Sequence, residues 1–181
     1  FFIKKKYTFK LSKKKDKAIS LYLIKKYCKS LYKKEKQIFI NDLINKTQII
    51  PDEKYSSNYK KLNWTEIKEL DDNKLFTLGG HSTFHDTLSK QKEGEMKEDI
   101  KTSISLLEKK LNHKIYHYAY PEGLNDDYND SIKYYLKNSG IKACPSAVSG
   151  LNDIKENLFD LKRISVGFWG LPFPYFDPIL N

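Results

Sequence analysis

Leu78-Gly79-Gly80-His81-Ser82-Thr83-Phe84-His85 is the stretch on which the reading of this chain turns. Lys74 to Leu78 read as a short strand ending at two glycines, which let the backbone leave a strand sharply. Histidines four apart share one face if the segment turns helically, and both imidazoles can then reach one metal ion. The plain alternative is two surface or core histidines at a chance spacing. Ser82 stands where a metalloprotease of the H-E-x-x-H type carries its glutamate, so that class is excluded.

On the C-terminal side, Met96, Ile100, Ile104, Leu107 and Leu111 repeat at helical spacing and predict a helix over 93–111. Ile115 to Tyr120 alternates like a strand and stops at Pro121. Tyr120-Pro121-Glu122-Gly123 follows at that strand's end, the place where α/β folds gather their active sites. Read alone it is a turn; read functionally, a backbone N–H after the proline could serve an oxyanion. Asp130 starts a helix carrying Ile132, Tyr135 and Leu136, closed by Gly140. Ile141–Cys144 and Leu161–Val166 read as strands. Arg163, the only arginine, reads as a buried structural ion pair on the last of these.

On the N-terminal side, Asn63 with Glu66 three residues on predicts a capped helix bearing Ile67 and Leu70. Residues 51–61 read as loop and 37–48 as either helix or strand. Residues 16–36 read as a helix, with Ile19, Leu23, Tyr27 and Leu31 four apart. Phe1-Phe2-Ile3 reads as a strand end. Alternating helices and strands predict an α/β fold with a largely parallel sheet. The organisation expected is a strand end and basic helical insertion over 1–61, a core over 62–170, and a Pro/aromatic tail over 171–181.

The chain has 181 residues, 39% hydrophobic and 31% charged, which excludes full disorder and permits a sizeable core. Its formal charge of +10 is concentrated: fourteen lysines against Asp16 and Glu35 give the first forty residues +12, leaving −2 for the rest. A solvated helix face explains such lysines most simply. The functional alternative is an anionic lipid or acidic glycan partner. No recognition motif supports nucleic acid as a partner. Cys28 and Cys144 make no disulfide framework. No apolar run approaches the roughly 18 residues of a membrane span, and no secretory segment is visible, so a cytoplasmic or membrane-surface location is expected over secretion. The chain begins at Phe1 and its single methionine is Met96, so a processed product or a piece of a longer protein is expected.

Taken in order, Leu62-Asn-Trp-Thr-Glu-Ile-Lys-Glu-Leu70, Gly80-His-Ser-Thr-Phe-His85, Leu106-Leu107-Glu108, Tyr118-Ala-Tyr-Pro-Glu-Gly123, Ser139-Gly-Ile-Lys-Ala143 and Leu161-Lys-Arg-Ile164 resemble the polysaccharide deacetylase family. The resemblance spans residues 60–166. It implies a partial, distorted (β/α) barrel lacking its first strand and helix. It also implies a hydrolase that removes acetyl groups from an acetylated sugar or polysaccharide, such as a cell-envelope glycan. His81 and His85 would ligate a divalent metal, Zn²⁺, which supplies a Lewis acid and an activated water. The catalytic positions implied are Tyr120, Pro121 and Glu122, the last through its backbone N–H at the oxyanion.

The departures are specific. The family's Asp-Asp pair, which supplies the third ligand and the base, has no counterpart; Asp71-Asp72 and Asp126-Asp127 lie elsewhere in the order. Ala119 replaces a frequent arginine, Glu122 replaces an aromatic, and no late Leu-x-His element follows Arg163. The chain alone is therefore expected to be an inactive portion of the enzyme. The alternative is a carbohydrate-binding or scaffold domain that has lost the base.

Overall fold

The structure, a computed structural model, describes residues 8–49 and 61–164. The expected strand end at Phe1–Ile3, the loop at 51–60 and the tail at 171–181 lie outside them. The chain divides into two units, one containing residues 8–39 and the other residues 40–164 among those described.

The first unit holds α1, Lys14–Ser30, and the start of α2, Lys33–Thr47. The single helix expected over 16–36 is thus broken at Leu31, whose extended backbone ends α1. The cause is local: the Glu35 carboxylate accepts the Tyr32 N–H, 3.2 Å away, and so starts a new helix. The open choice at 37–48 resolves as helix. Ser20 is buried and donates to the Lys10 carbonyl at 2.8 Å, while the Tyr27 ring meets Phe39 edge-on at 4.9 Å. Lys10, Lys13, Lys14, Lys15, Lys17, Lys25, Lys26, Lys29, Lys33 and Lys34 are all exposed; Lys36 is half-buried.

The second unit contains the sequence's strongest periodic signal. α4, Glu93–Leu111, occupies the predicted range and buries Met96, Ile100, Ile104 and Leu111. Ile132 and Leu136 of α5, Asp130–Asn138, join them, with Leu88, Ile115, Tyr118, Tyr120, Ile141, Cys144 and Phe159. Burying an aliphatic side chain such as Ile100 contributes about 1.5–3 kcal/mol. α3, Trp64–Asp72, carries the anticipated capping box: Asn63 Oδ1 accepts from Glu66 N at 3.0 Å, and Glu66 Oε2 accepts from Asn63 N at 2.7 Å. For α5 the cap is Asn129, not Asp130, because its side chain accepts the Ile132 N–H. Gly140, at φ +89°, closes that helix as expected.

The strands are shorter than predicted. β1, Pro145–Ser149, and β2, Leu161–Arg163, run parallel. The expected strand at 141–144 is reduced to a bridge at Ala143, and the pairing begins instead at Pro145, a strand-start position that needs no N–H. The expected strand at 74–78 is absent. Asn73 turns the chain there, accepting from Leu75 N with its side chain and from Phe76 N with its carbonyl, and leaves Leu75 89% exposed. What remains of the pattern is a pair of single parallel bridges, Gly80 to Tyr118 and His117 to Ala143. Among the described residues no helix is long and apolar enough to cross a membrane.

α3 is tied to the end of α4 by His113. Its Nε2 lies 2.7 Å from Asp71 Oδ2 and its Nδ1 lies 3.0 Å from the Lys114 carbonyl oxygen. Both neighbours can only accept, so the full clamp needs the imidazolium, and these bonds raise the pKa from 6.5. The sign follows: the stabilisation is complete below the unfolded value and is lost as pH rises through the higher folded one. Thermal unfolding of wild type and His113→Gln should therefore differ at about pH 5.5 and converge by about pH 9.

Candidate active site

The two sequence motifs meet through backbone. Gly80 N donates to the His117 carbonyl and Ala119 N to the Gly80 carbonyl, both at 2.9 Å. This crossing puts residues 80–85 beside residues 118–123. The glycines serve close approach here, not a sharp exit. A Cβ on Gly79 would lie 2.8 Å from the His117 carbonyl oxygen, and one on Gly80 would lie 2.5 Å from Tyr118 Cδ2. Tyr118 is 1% exposed and cannot yield. Its hydroxyl is buried without a hydrogen-bond partner among the described residues, and burial pushes the phenol's pKa up.

The His81–His85 segment is not helical. Ser82 and His85 adopt left-handed backbone, φ +65° and +56°. Such conformations cost about 1–2 kcal/mol each and persist only under surrounding constraint. Ser82 Oγ accepts the His85 N–H at 2.8 Å and closes the turn from within. From outside, Asp99 of α4 accepts the Thr83 N–H with Oδ1 at 2.6 Å, and its main-chain oxygen accepts from Thr83 Oγ1 at 3.3 Å. The expected meeting of the histidines is thus achieved by a turn. Their ring centroids are 4.7 Å apart at an interplanar angle of 71°.

His81 Nδ1 lies 2.8 Å from the Ala119 carbonyl oxygen. A carbonyl only accepts, so Nδ1 carries the proton and Nε2 is left with the lone pair. Desolvation lowers the His81 pKa first; the Ala119 bond opposes it, His85 and Arg163 lower it further, and Glu122 raises it. A neutral imidazole with its other nitrogen oriented by a carbonyl is what a metal ligand requires. The donor chemistry of the pair therefore fits a divalent metal. Among the described residues, however, no group of three His, Cys, Asp or Glu side chains could hold one.

The remaining site residues form the adjoining turn. Tyr120 is buried, donates through its hydroxyl to the Phe159 carbonyl at 2.9 Å, and stacks on Tyr128 at 4.1 Å. Pro121 is fully buried, and its carbonyl accepts from Gly123 N at 2.7 Å. Glu122 and Gly123 are both left-handed, φ +62° and +76°, and the Gly123 carbonyl accepts from Ala147 N at 2.7 Å. Arg163 departs from its expected burial: it is exposed, and its Nε donates to the Ser146 carbonyl. Asp127 is engaged locally through its carboxylate, and Asp126 through its main chain by a residue distant in sequence. The Asp126 carbonyl accepts from Ser89 Oγ, and Asp127 Oδ2 accepts from Leu124 N. Sequence reading missed Asp99 altogether. Ser82 was read only as the residue that excludes the metalloprotease motif; its part in closing the turn was missed.

Gly80→Ala should lower stability by about 1–3 kcal/mol through overpacking, read from the denaturant midpoint. Gly94→Ala is the control. Its added Cβ meets nothing within 4 Å, so stability should hold or rise by up to about 1 kcal/mol.

No curated protein sequence matches the chain. Among solved structures it is similar to the Streptococcus pyogenes deacetylase PplD in complex with acetate, at 23% identity and TM-score 0.54, covering 61% of this chain and 47% of that one. The BpsB deacetylase domain from Bordetella bronchiseptica is similar at 18% identity and TM-score 0.51, covering 57% and 48%. A polysaccharide deacetylase from Bacillus cereus is similar at 23% identity and TM-score 0.50, covering 65% and 40%. The chain thus spans less than half the length of each of these structures, and at such identities the likeness is one of fold. The profile of the polysaccharide deacetylase family matches residues 7–144. With that match over most of its length, the chain belongs to the polysaccharide deacetylase family.

Proposed function

We propose that this chain contributes half of a metal-dependent deacetylase site that hydrolyses the acetyl amide or ester of an acetylated sugar or polysaccharide. The observation that carries the reading is the histidine pair, with rings 4.7 Å apart and His81 Nδ1 committed to the Ala119 carbonyl. In this reading His81 and His85 ligate a divalent metal, Zn²⁺, which when bound polarises the acetyl carbonyl and activates water. The Glu122 backbone N–H stabilises the oxyanion, while Tyr120 and Pro121 hold the turn that presents it. The third ligand and the base, an aspartate pair, come from outside residues 8–49 and 61–164. The parallel bridges and helices described above belong, on this proposal, to a partial distorted (β/α) barrel.

Because the sequence has no Asp-Asp pair at the family's place in the order, we keep a second reading, a carbohydrate-binding or scaffold domain that has lost the base. Acetate release separates the two. With Zn²⁺ added, the 181-residue chain should release little or no acetate from an acetylated glucosamine oligomer. A version carrying an upstream Asp-Asp pair should release it, and His81→Ala should abolish that release. Full activity in the 181-residue chain would assign the base to another carboxylate, such as Asp126 or Asp127. Glycan binding with no release from either length would favour the second reading.

The exposed lysines of α1 and α2 support a further proposed contact, with anionic lipid or acidic glycan. Binding to vesicles rich in anionic lipid should weaken steeply between low and physiological salt. Salt-independent binding would count against the contact, and absence of binding would leave a solvated face.

A further inference from the structure

We propose that Asp99 is a positioning residue for the His81–His85 pair: through its carboxylate, α4 sets the loop geometry that lets both imidazoles serve one ion. This rests on the metal-pair reading above. Thr83 stands midway between the histidines, and Asp99 holds it twice, through Oδ1 to its N–H at 2.6 Å and through the main-chain oxygen to its Oγ1 at 3.3 Å. The second carboxylate oxygen is also committed, accepting from Gln91 Nε2 at 3.0 Å. That same nitrogen lies 3.5 Å from the carbonyl oxygen of Asp86, the residue after His85. One carboxylate thus reaches the loop directly between its histidines and, through Gln91, the chain just beyond them.

The arrangement is rigid at its base. Asp99 precedes Ile100, which is 0% exposed, and Met96 is buried one turn earlier, so α4 cannot rotate to carry the carboxylate away. It is also needed at its tip. Ser82 and His85 flank Thr83 in left-handed backbone, which relaxes unless the surroundings over-determine it. The bond from His85 N to Ser82 Oγ shapes the turn internally but does not fix it against the rest of the protein. Asp99 supplies that outer constraint. Its bond to the Thr83 amide is charge-assisted and short, which suits a group that must define direction as well as hold. Partners bonded to metal ligands themselves change metal affinity by about 10–100-fold when removed, and Asp99 acts one step further out, through Thr83.

The test uses the whole chain, Co²⁺ as the probe, and the variants Asp99→Ala and Asp99→Asn. Asparagine keeps an acceptor for Thr83, but Gln91 must turn its amide over to meet the new NH₂ and then gives up the Asp86 carbonyl. In Asp99→Ala, Co²⁺ affinity should fall by about 10-fold, the low end of the direct-partner range, and the visible d–d spectrum should change, with far-UV circular dichroism intact. Asp99→Asn, which keeps the Thr83 bond alone, should restore most of both. Without metal, the Thr83 amide should exchange faster and the His81 and His85 imidazole NMR signals should move in Asp99→Ala, and move less in Asp99→Asn. Wild-type affinity and spectrum in a folded Asp99→Ala chain would overturn the proposal. If the wild-type chain takes up no Co²⁺, its two imidazoles are too few alone, the version carrying the Asp-Asp pair decides the metal reading, and the imidazole signals judge Asp99: unmoved in Asp99→Ala, they overturn the positioning role. If Asp99→Ala does not fold, Gln91→Ala replaces it. That variant releases Oδ2, should give the same changes at smaller amplitude, and overturns the proposal if it leaves every signal in place.

Discussion

Two main-chain hydrogen bonds at Gly80 hold the rest of the site in register. Gly80 donates to His117 and accepts from Ala119, and no side chain can intervene because the backbones pass within a Cβ of each other. The constraint reaches outward from there. It fixes Ala119, whose carbonyl then sets the protonated nitrogen of His81. It fixes Tyr118 under the loop and Tyr120 beneath the Pro121 turn, where the Phe159 carbonyl and the Tyr128 ring receive it. The position of one imidazole therefore traces back to two residues without side chains.

The electrostatic setting follows from the same crossing. Glu122 and Arg163 act on His81 with opposite signs, and neither is the largest influence. Desolvation is, and it comes from packing. A ring brought against protein on one side loses water and gains a reason to stay neutral. Neutrality is useful only if the lone pair is on the outward nitrogen, and the Ala119 carbonyl guarantees that.

The elements legible in the sequence were those whose cause is local or periodic. α4 could be read from its apolar repeat because burial of one helix face leaves a direct trace in residue order. The capping box at Asn63 and Glu66 was legible because both its bonds lie within four residues. The strand expected at 74–78 failed because Leu75 and Phe76 look apolar in isolation, while Asn73 decides the backbone. In the site, the histidine spacing allowed a shared face if the segment turned helically, and Ser82 closes a non-helical turn there. The family resemblance rested on the two motifs in order, and the profile match over residues 7–144 upholds it. Asp99 was illegible because a charged residue on an amphipathic helix reads as solvated until the segment packed against it is known.

Cys144 lies one residue past the bridge that Ala143 makes with His117, and its side chain is entirely buried. Burial pushes its thiol up to about 12. Metals and oxidants both capture the thiolate, which at neutral pH this sulfur almost never becomes. The protein can thus keep a polarisable atom in its core without offering an incoming ion a softer competitor to the imidazoles. The same burial makes that sulfur a poor starting point for sulfenic acid or for a mixed disulfide, so Cys144 should stay a thiol through oxidative exposure.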